Sequence, residues 1–163
     1  MAKSFAAWGD QNDYFVMPGG TFESSTSGWT LESGANVVVD QAPWRVNGPG
    51  HQRALALPAG SRVNTPTICV ARGEESMRLF VKSPGVAGAR LKVEMTVSNS
   101  RGSWTAVMWV NGSRPGWAPS NPLGYPDVRL RSATQDVKFA FSPAGTAATW
   151  VIDDVMVDPF VSR

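Results

Sequence analysis

Trp150-Val-Ile-Asp-Asp-Val-Met-Val-Asp158, near the end of the chain, keeps its apolar character while changing phase. Trp150 and Ile152 share one parity, Val155 and Val157 the other, and the slip falls at Asp153-Asp154. Successive side chains of a half-buried strand point to opposite faces, so such a slip implies one inserted residue, a β-bulge. A bulge at a sheet rim can turn a carboxylate inward, where the charge is costly unless a cation or several donors meet it. Calcium suits that position, because it takes about six to eight hard oxygen ligands and mixes carboxylates with backbone carbonyls. Glu23, beside the glycine-rich Pro18-Gly-Gly-Thr21, is a candidate for a further carboxylate.

Working outward, the chain of 163 residues is one ordinary domain, long enough to bury roughly two-thirds of its unfolded surface without disulfides. Its 16 Gly and 12 Pro, beside many Val, Thr and aromatic residues, favour short strands and tight turns, hence an all-β class. No apolar run approaches 18 residues and no basic start leads into an apolar segment, so neither a membrane span nor a leader is expected. A secreted origin stays open, since a leader can have been removed. Cys69 is the only cysteine, which excludes an internal disulfide; its bland reading is a buried, inert thiol.

The net charge of +2 is unevenly laid out. Residues 1–43 carry one base and five acids, residues 44–131 twelve bases and four acids, and the remainder two and four. Carboxylates therefore gather where the terminal strands meet, with Arg-rich surface elsewhere. That surface reads either as an ordinary solvated one or as a site for an anionic polymer. A nucleic-acid partner is not expected, because the bases show no stripe and the net charge is small.

Residues 1–20 read as an irregular arm whose Phe5, Trp8, Tyr14 and Phe15 can pack only by lying across a sheet. Residues 21–163 read as the sandwich domain. Strands are expected at 35–40, 52–57, 63–70 (weakened by Pro66), 77–83, 89–98, 104–110, 116–120, 127–131, 135–142 and 149–158. In 89–98, Leu91, Val93, Met95 and Val97 face inward, while Arg90, Lys92, Glu94, Thr96 and Ser98 face out. Asn111-Gly112 is read as the turn of a hairpin, because both positions of a type I′ turn need positive φ. About nine short strands without an intervening helix argue for a two-sheet antiparallel jelly-roll β-sandwich.

Catalysis has few candidates. His51 is the sole histidine, set in a Gly/Pro-rich loop; it rules out sites needing two imidazoles and leaves any nucleophile a single possible base. No nucleophile elbow or phosphate loop occurs, and Glu74-Glu75 and Asp127 read as solvated acids. The chain is therefore read as a binding module and not an enzyme. Sugar rings present an apolar face edged with hydroxyls, which flat aromatic side chains stack against. Trp104 and Trp109 have opposite parity in one strand, so at most one faces the core, and the other is exposed or covered by the arm. Trp109, Trp44, Tyr125 and Trp117 are the candidate ligand-binding residues.

Gly20-Thr-Phe-Glu23, Gly28-Trp29 and the closing Trp150-Val-Ile-Asp-Asp-Val155 together resemble the jelly-roll carbohydrate-binding modules of bacterial xylanases and cellulases, with their G-x-F-E…G-W opening and W-x-I-D-D-V close. The resemblance implies a structural calcium held by Glu23 and by Asp153 or Asp154, and a polysaccharide or glycan partner. The middle of the chain matches no motif of that group, so no sugar site carries over. Trp8-Gly-Asp-Gln11 and Pro18 to Glu23 are also similar to the opening of uncharacterised secreted actinobacterial proteins. That likeness implies an extracellular or cell-surface location, and a Cys69 that pairs with a cysteine outside this chain. The competing reading is a structural or interaction module of a surface assembly, filament or virion, with exposed aromatics meeting protein neighbours, since sandwich folds serve both classes.

Overall fold

Short alternating runs punctuated by Gly and Pro fold into two stacked antiparallel sheets, in a computed structural model that describes residues 2–71, 76–124 and 134–158. The strands are β1 (Phe15–Val16), β2 (Thr30–Glu32), β3 (Asn36–Val39), β4 (Arg53–Leu57), β5 (Arg62–Asn64), β6 (Ile68–Ala71), β7 (Ser76–Ser83), β8 (Ala89–Asn99), β9 (Gly102–Asn111), β10 (Gly116–Pro119), β11 (Leu123–Gly124), β12 (Thr134–Gly145) and β13 (Trp150–Asp158). A seven-stranded sheet runs β10-β7-β13-β4-β3, with β1 on β13 and β11 on β7. A six-stranded sheet runs β2-β5-β12-β8-β9, with β6 on β12. The jelly-roll sandwich is thus present, with thirteen strands among the described residues where about nine were expected. The surplus is short: β1, β2 and β11 hold two or three residues, too few for a period to show. Residues 63–70 divide at Pro66 into β5 and β6, both lying on β12, since proline has no N–H for the ladder. The strand expected at 127–131 lies outside the described residues.

The core between the sheets follows the period of two. Leu91, Val93, Met95 and Val97 of β8 are fully buried, and together contribute on the order of 6 to 12 kcal/mol before chain entropy is counted. They meet Leu55 and Leu57 of β4, Met77, Leu79 and Val81 of β7, and Trp150, Ile152, Val155 and Val157 of β13. Ala54 and Ala56 of β4 are buried as well.

A second cluster covers the opposite side of the seven-stranded sheet. Phe5 and Tyr14 from the first residues, with Ala42 from the β3–β4 loop, pack on Phe80 and Met156. Arg78, also on that side, lies over the Phe5 ring at 4.2 Å, pairs with Asp10 at 2.6 Å and donates twice to the Ser120 carbonyl.

Two expectations need correction. Asn111-Gly112 is not a hairpin turn: β9 pairs with β8, β10 pairs with β7 in the other sheet, and Gly112 does not take a positive φ. The segment instead crosses between sheets at a crowded point. A Cβ on Gly112 would lie 2.7 Å from Trp150 Cζ2 and 2.8 Å from the Ala89 carbonyl oxygen, so glycine serves close approach here and not turn geometry. Cys69 is exposed and not a core thiol: Ile68 and Val70 take the inward parity of β6, leaving Cys69 on the outside.

Candidate functional site

The bulge in β13 lies where the phase slip puts it. The register with β7 shifts between Asp153 and Met156, and Asp154 takes φ +49°. It also marks a change of neighbour: Trp150, Val151 and Ile152 pair with β4, whereas Met156 and Val157 pair with β1. The opening motif is built against this point. Gly20 accepts a hydrogen bond from Val155 N–H at 3.0 Å. Phe22 enters the core edge-on to Trp29, whose indole N–H donates to the Pro18 carbonyl at 2.7 Å. Glu23 Oε1 accepts the backbone N–H groups of Gln52 and Arg53, both at 2.7 Å, at the start of β4.

Asp153 and Asp154 are both buried. Asp153 accepts from the N–H groups of Ala42 and of Asp154, and Asp154 accepts from the Asn47 amide at 2.8 Å. Burial, and then the neighbouring Asp154 charge, push the Asp153 carboxyl up to about 7. Burial also raises Asp154, against the Asn47 hydrogen bond and the His51 imidazole, with Glu23 adding to the rise. The three candidate carboxylates therefore share one electrostatic neighbourhood. They do not converge on a point: among the described residues no group of three His, Cys, Asp or Glu side chains is placed to hold an ion.

The aromatic candidates separate. Trp109 is 49% exposed on the outer side of the six-stranded sheet, because Ala106, Met108 and Val110 take the core parity of β9. Trp104 shares that core parity but is also exposed, near the strand's beginning. The first residues of the chain cover the other sheet, so Trp109 is left uncovered by them. Trp109 and Trp117 both border a groove of about 530 Å³ between β9 and β10, which Asn111, Arg114 and Asn121 also line, but the Trp117 side chain turns to the outer side of the seven-stranded sheet, level with Lys82 and packed on the cluster of Phe5 and Phe80. The Trp117 side chain hydrogen-bonds Asp40, which pairs with Lys82 at 2.7 Å. Trp44 lies elsewhere, edge-on to Trp8 and tilted on Phe80. Tyr125 lies outside the described residues.

Next to Trp109, across the ladder, is Lys92. Its ammonium group lies 3.2 Å from Glu94, which Arg62 also binds. Hydrogen bonding from Arg62, stronger than the opposing effect of burial, holds the Glu94 carboxyl below its ordinary range. Arg62, Asn64, Glu94, Thr96, Thr105 and Lys138 line a second hollow of about 250 Å³ on this face. Trp109 thus borders the groove on one side and lies along β9 from the polar hollow at Thr105 on the other. Sequence reasoning missed this second hollow, although the outward parity of Glu94 and Thr96 in β8 was a usable signal.

No family model matches the chain, and no curated protein matches it. Solved structures do. The chain is similar to the family 22 carbohydrate-binding and GH10 modules of endo-1,4-β-D-xylanase 10B from Clostridium thermocellum, complexed with xylohexaose, at a TM-score of 0.59 and 16% identity. That match covers 93% of this chain and 29% of the xylanase chain, so the chain spans under a third of that protein. A family 22 xylan-binding domain aligns at a TM-score of 0.53 and 15% identity, covering 94% of this chain and 99% of its own. A family 61 module in complex with β-1,4-galactotriose aligns at 0.52 and 14%, covering 88% and 97%. The fold is the β-sandwich of carbohydrate-binding modules.

Proposed function

We propose that the chain is a non-catalytic carbohydrate-binding module that takes a polysaccharide across Trp109. The observation that carries this reading is the half-exposed Trp109 indole, which borders a groove with Asn111, Arg114 and Asn121 and lies along β9 from a hollow with Asn64, Thr96 and Thr105. A sugar ring stacks its apolar face on an indole while nearby amides and hydroxyls fix its hydroxyl groups. Trp117, whose side chain packs with Phe80 on the outer side of the other sheet, has no part in this face. Trp44 has no part in this face, and its exposed edge belongs to the aromatic cluster with Trp8 and Phe80. The sandwich of carbohydrate-binding modules supports the reading, as does the poverty of catalytic groups, with His51 the only histidine. Affinity electrophoresis against a panel of plant and microbial polysaccharides tests it, and a chain retarded by none of them counts against it. Such modules act on extracellular polymers, so the proposed location is outside the cell or at its surface.

The same reading includes a structural calcium. The donors are of the kind a hard cation takes: Asp153 and Asp154 are buried and Glu23 acts on both electrostatically, and an oxygen-binding ion that drew them together would offset that crowding. Asp154 and Glu23 would hold the ion together with backbone carbonyls, with Asp153 tied to the Ala42 and Asp154 N–H groups behind them. When bound, the ion supplies charge neutralisation and a bridge between the opening motif and β13. A ligand that binds only the folded state raises stability, so EDTA lowers the melting temperature and added calcium restores it. A melting curve unchanged by either sinks the calcium proposal.

A further inference from the structure

We infer that the ligand of the Trp109 face is an acidic polysaccharide whose sugars carry carboxylates. This rests on the glycan-binding reading and adds the ligand's charge to it. The bases on this face form a line. Lys138 of β12 is level with Thr96 of β8, Lys92 lies four residues further along β8, and Arg90 two beyond that. At about 3.4 Å per residue the line is roughly 20 Å long, the reach of several sugars and not of one. Arg90 and Lys138 are exposed, and Arg90 is level with Asn111 at the groove that Arg114 lines. No acid lines that groove among the described residues.

The acids of the face do not cancel this line. Glu94 is held between Arg62 and Lys92, two bases to one carboxylate. Glu32 lies at the β2 margin, where it accepts from Asn64, and Asp136 is level with Ser98 beyond Lys138. Among the described residues, a neutral sugar chain leaves Arg90, Arg114 and Lys138 without an anion. A uronate chain stacked on Trp109 meets them with one carboxylate after another, the guanidinium groups as planar forks and Lys138 as a point charge. The charge-bearing groups thus select among glycans that Trp109 alone would hold indifferently.

The test compares polygalacturonate, alginate and hyaluronate with their methyl esters, by titration calorimetry at low and high salt. At least one acid form binds about tenfold or more tighter than its ester, and the difference shrinks as salt rises. Lys138→Gln combined with Arg90→Gln brings the acid form down to the ester's affinity without moving the melting temperature. Equal binding of acid and ester, or preference for neutral polysaccharides, overturns the charge inference while leaving glycan binding intact. Binding to no polysaccharide, acidic or neutral, overturns both. A single-stranded oligonucleotide bound more tightly than every acid polysaccharide overturns the inference in favour of a nucleic-acid site.

Discussion

Val155 donates its backbone N–H to the Gly20 carbonyl at 3.0 Å, joining the opening motif to the bulge of the closing strand. The contact explains why Gly20 belongs with Asp153-Asp154. A Cβ at position 20 would lie 2.8 Å from the Val155 oxygen and 3.0 Å from that of Met17. Backbone cannot yield as a flexible side chain does. Gly20→Ala is therefore expected to cost about 1 to 3 kcal/mol, seen as a lower midpoint in urea with unchanged slope. A stability equal to that of the parent would mean the two segments sit further apart.

Asp10 and Arg78 fix the first residues over the seven-stranded sheet. Arg78 is nearly buried, and Asp10 Oδ2 takes both its guanidinium and the Tyr14 hydroxyl, at 2.6 and 2.7 Å. Burial pushes the Asp10 carboxyl up, but hydrogen bonds from Tyr14, Arg78 and the Asn12 N–H outweigh it and hold the group below its ordinary range. With the folded value below the unfolded one, the stabilisation is complete above the unfolded value, near pH 4. It is lost as pH falls through the folded value. Asp10→Ala should cost about 3 kcal/mol near neutral pH, because it strands a buried guanidinium, and should flatten the acid side of a melting temperature against pH profile. A variant with the parental profile contradicts this role.

Val93 has no exposed surface and sits mid-strand in β8, between β12 and β9. Val93→Asp places a carboxylate in the core with no described cation nearby, a cost of several kcal/mol that exceeds or matches the stability of an ordinary domain. Circular dichroism of the purified variant should show no cooperative melting. A cooperative transition near the parental temperature would refute the assignment of the inner face.

Much of this fold is legible in the residues because β7, β8 and β13 are long enough for the period of two to declare itself. The bulge at Asp153-Asp154 is legible for the same reason, since a slip shows only against a sustained pattern. Asn111-Gly112 misleads because the dipeptide carries local turn chemistry, whereas its conformation is set by Trp150 and Ala89, distant in sequence. The exposed Cys69 follows from parity in β6, but four residues beside a proline give too short a run to trust. At the site, parity sets Trp104 and Trp109 on opposite sides of the strand, but which side is the core shows only once Ala106, Met108 and Val110 are seen packed on it. That Trp117 and Trp44 both turn to the cluster of Trp8 and Phe80, outside the other sheet, depends on which sheet each segment joins, and no local pattern holds that information.

The central claim, that a polysaccharide stacks on Trp109, is tested most directly by titrating the tightest-binding polysaccharide into the parent, Trp109→Ala and Trp44→Ala. The account predicts that Trp109→Ala loses about 2 kcal/mol of binding, some thirtyfold in affinity, with its melting temperature unchanged, while Trp44→Ala binds as the parent does. Parental affinity in Trp109→Ala, or loss of binding in Trp44→Ala alone, would contradict it and move the site to the opposite sheet.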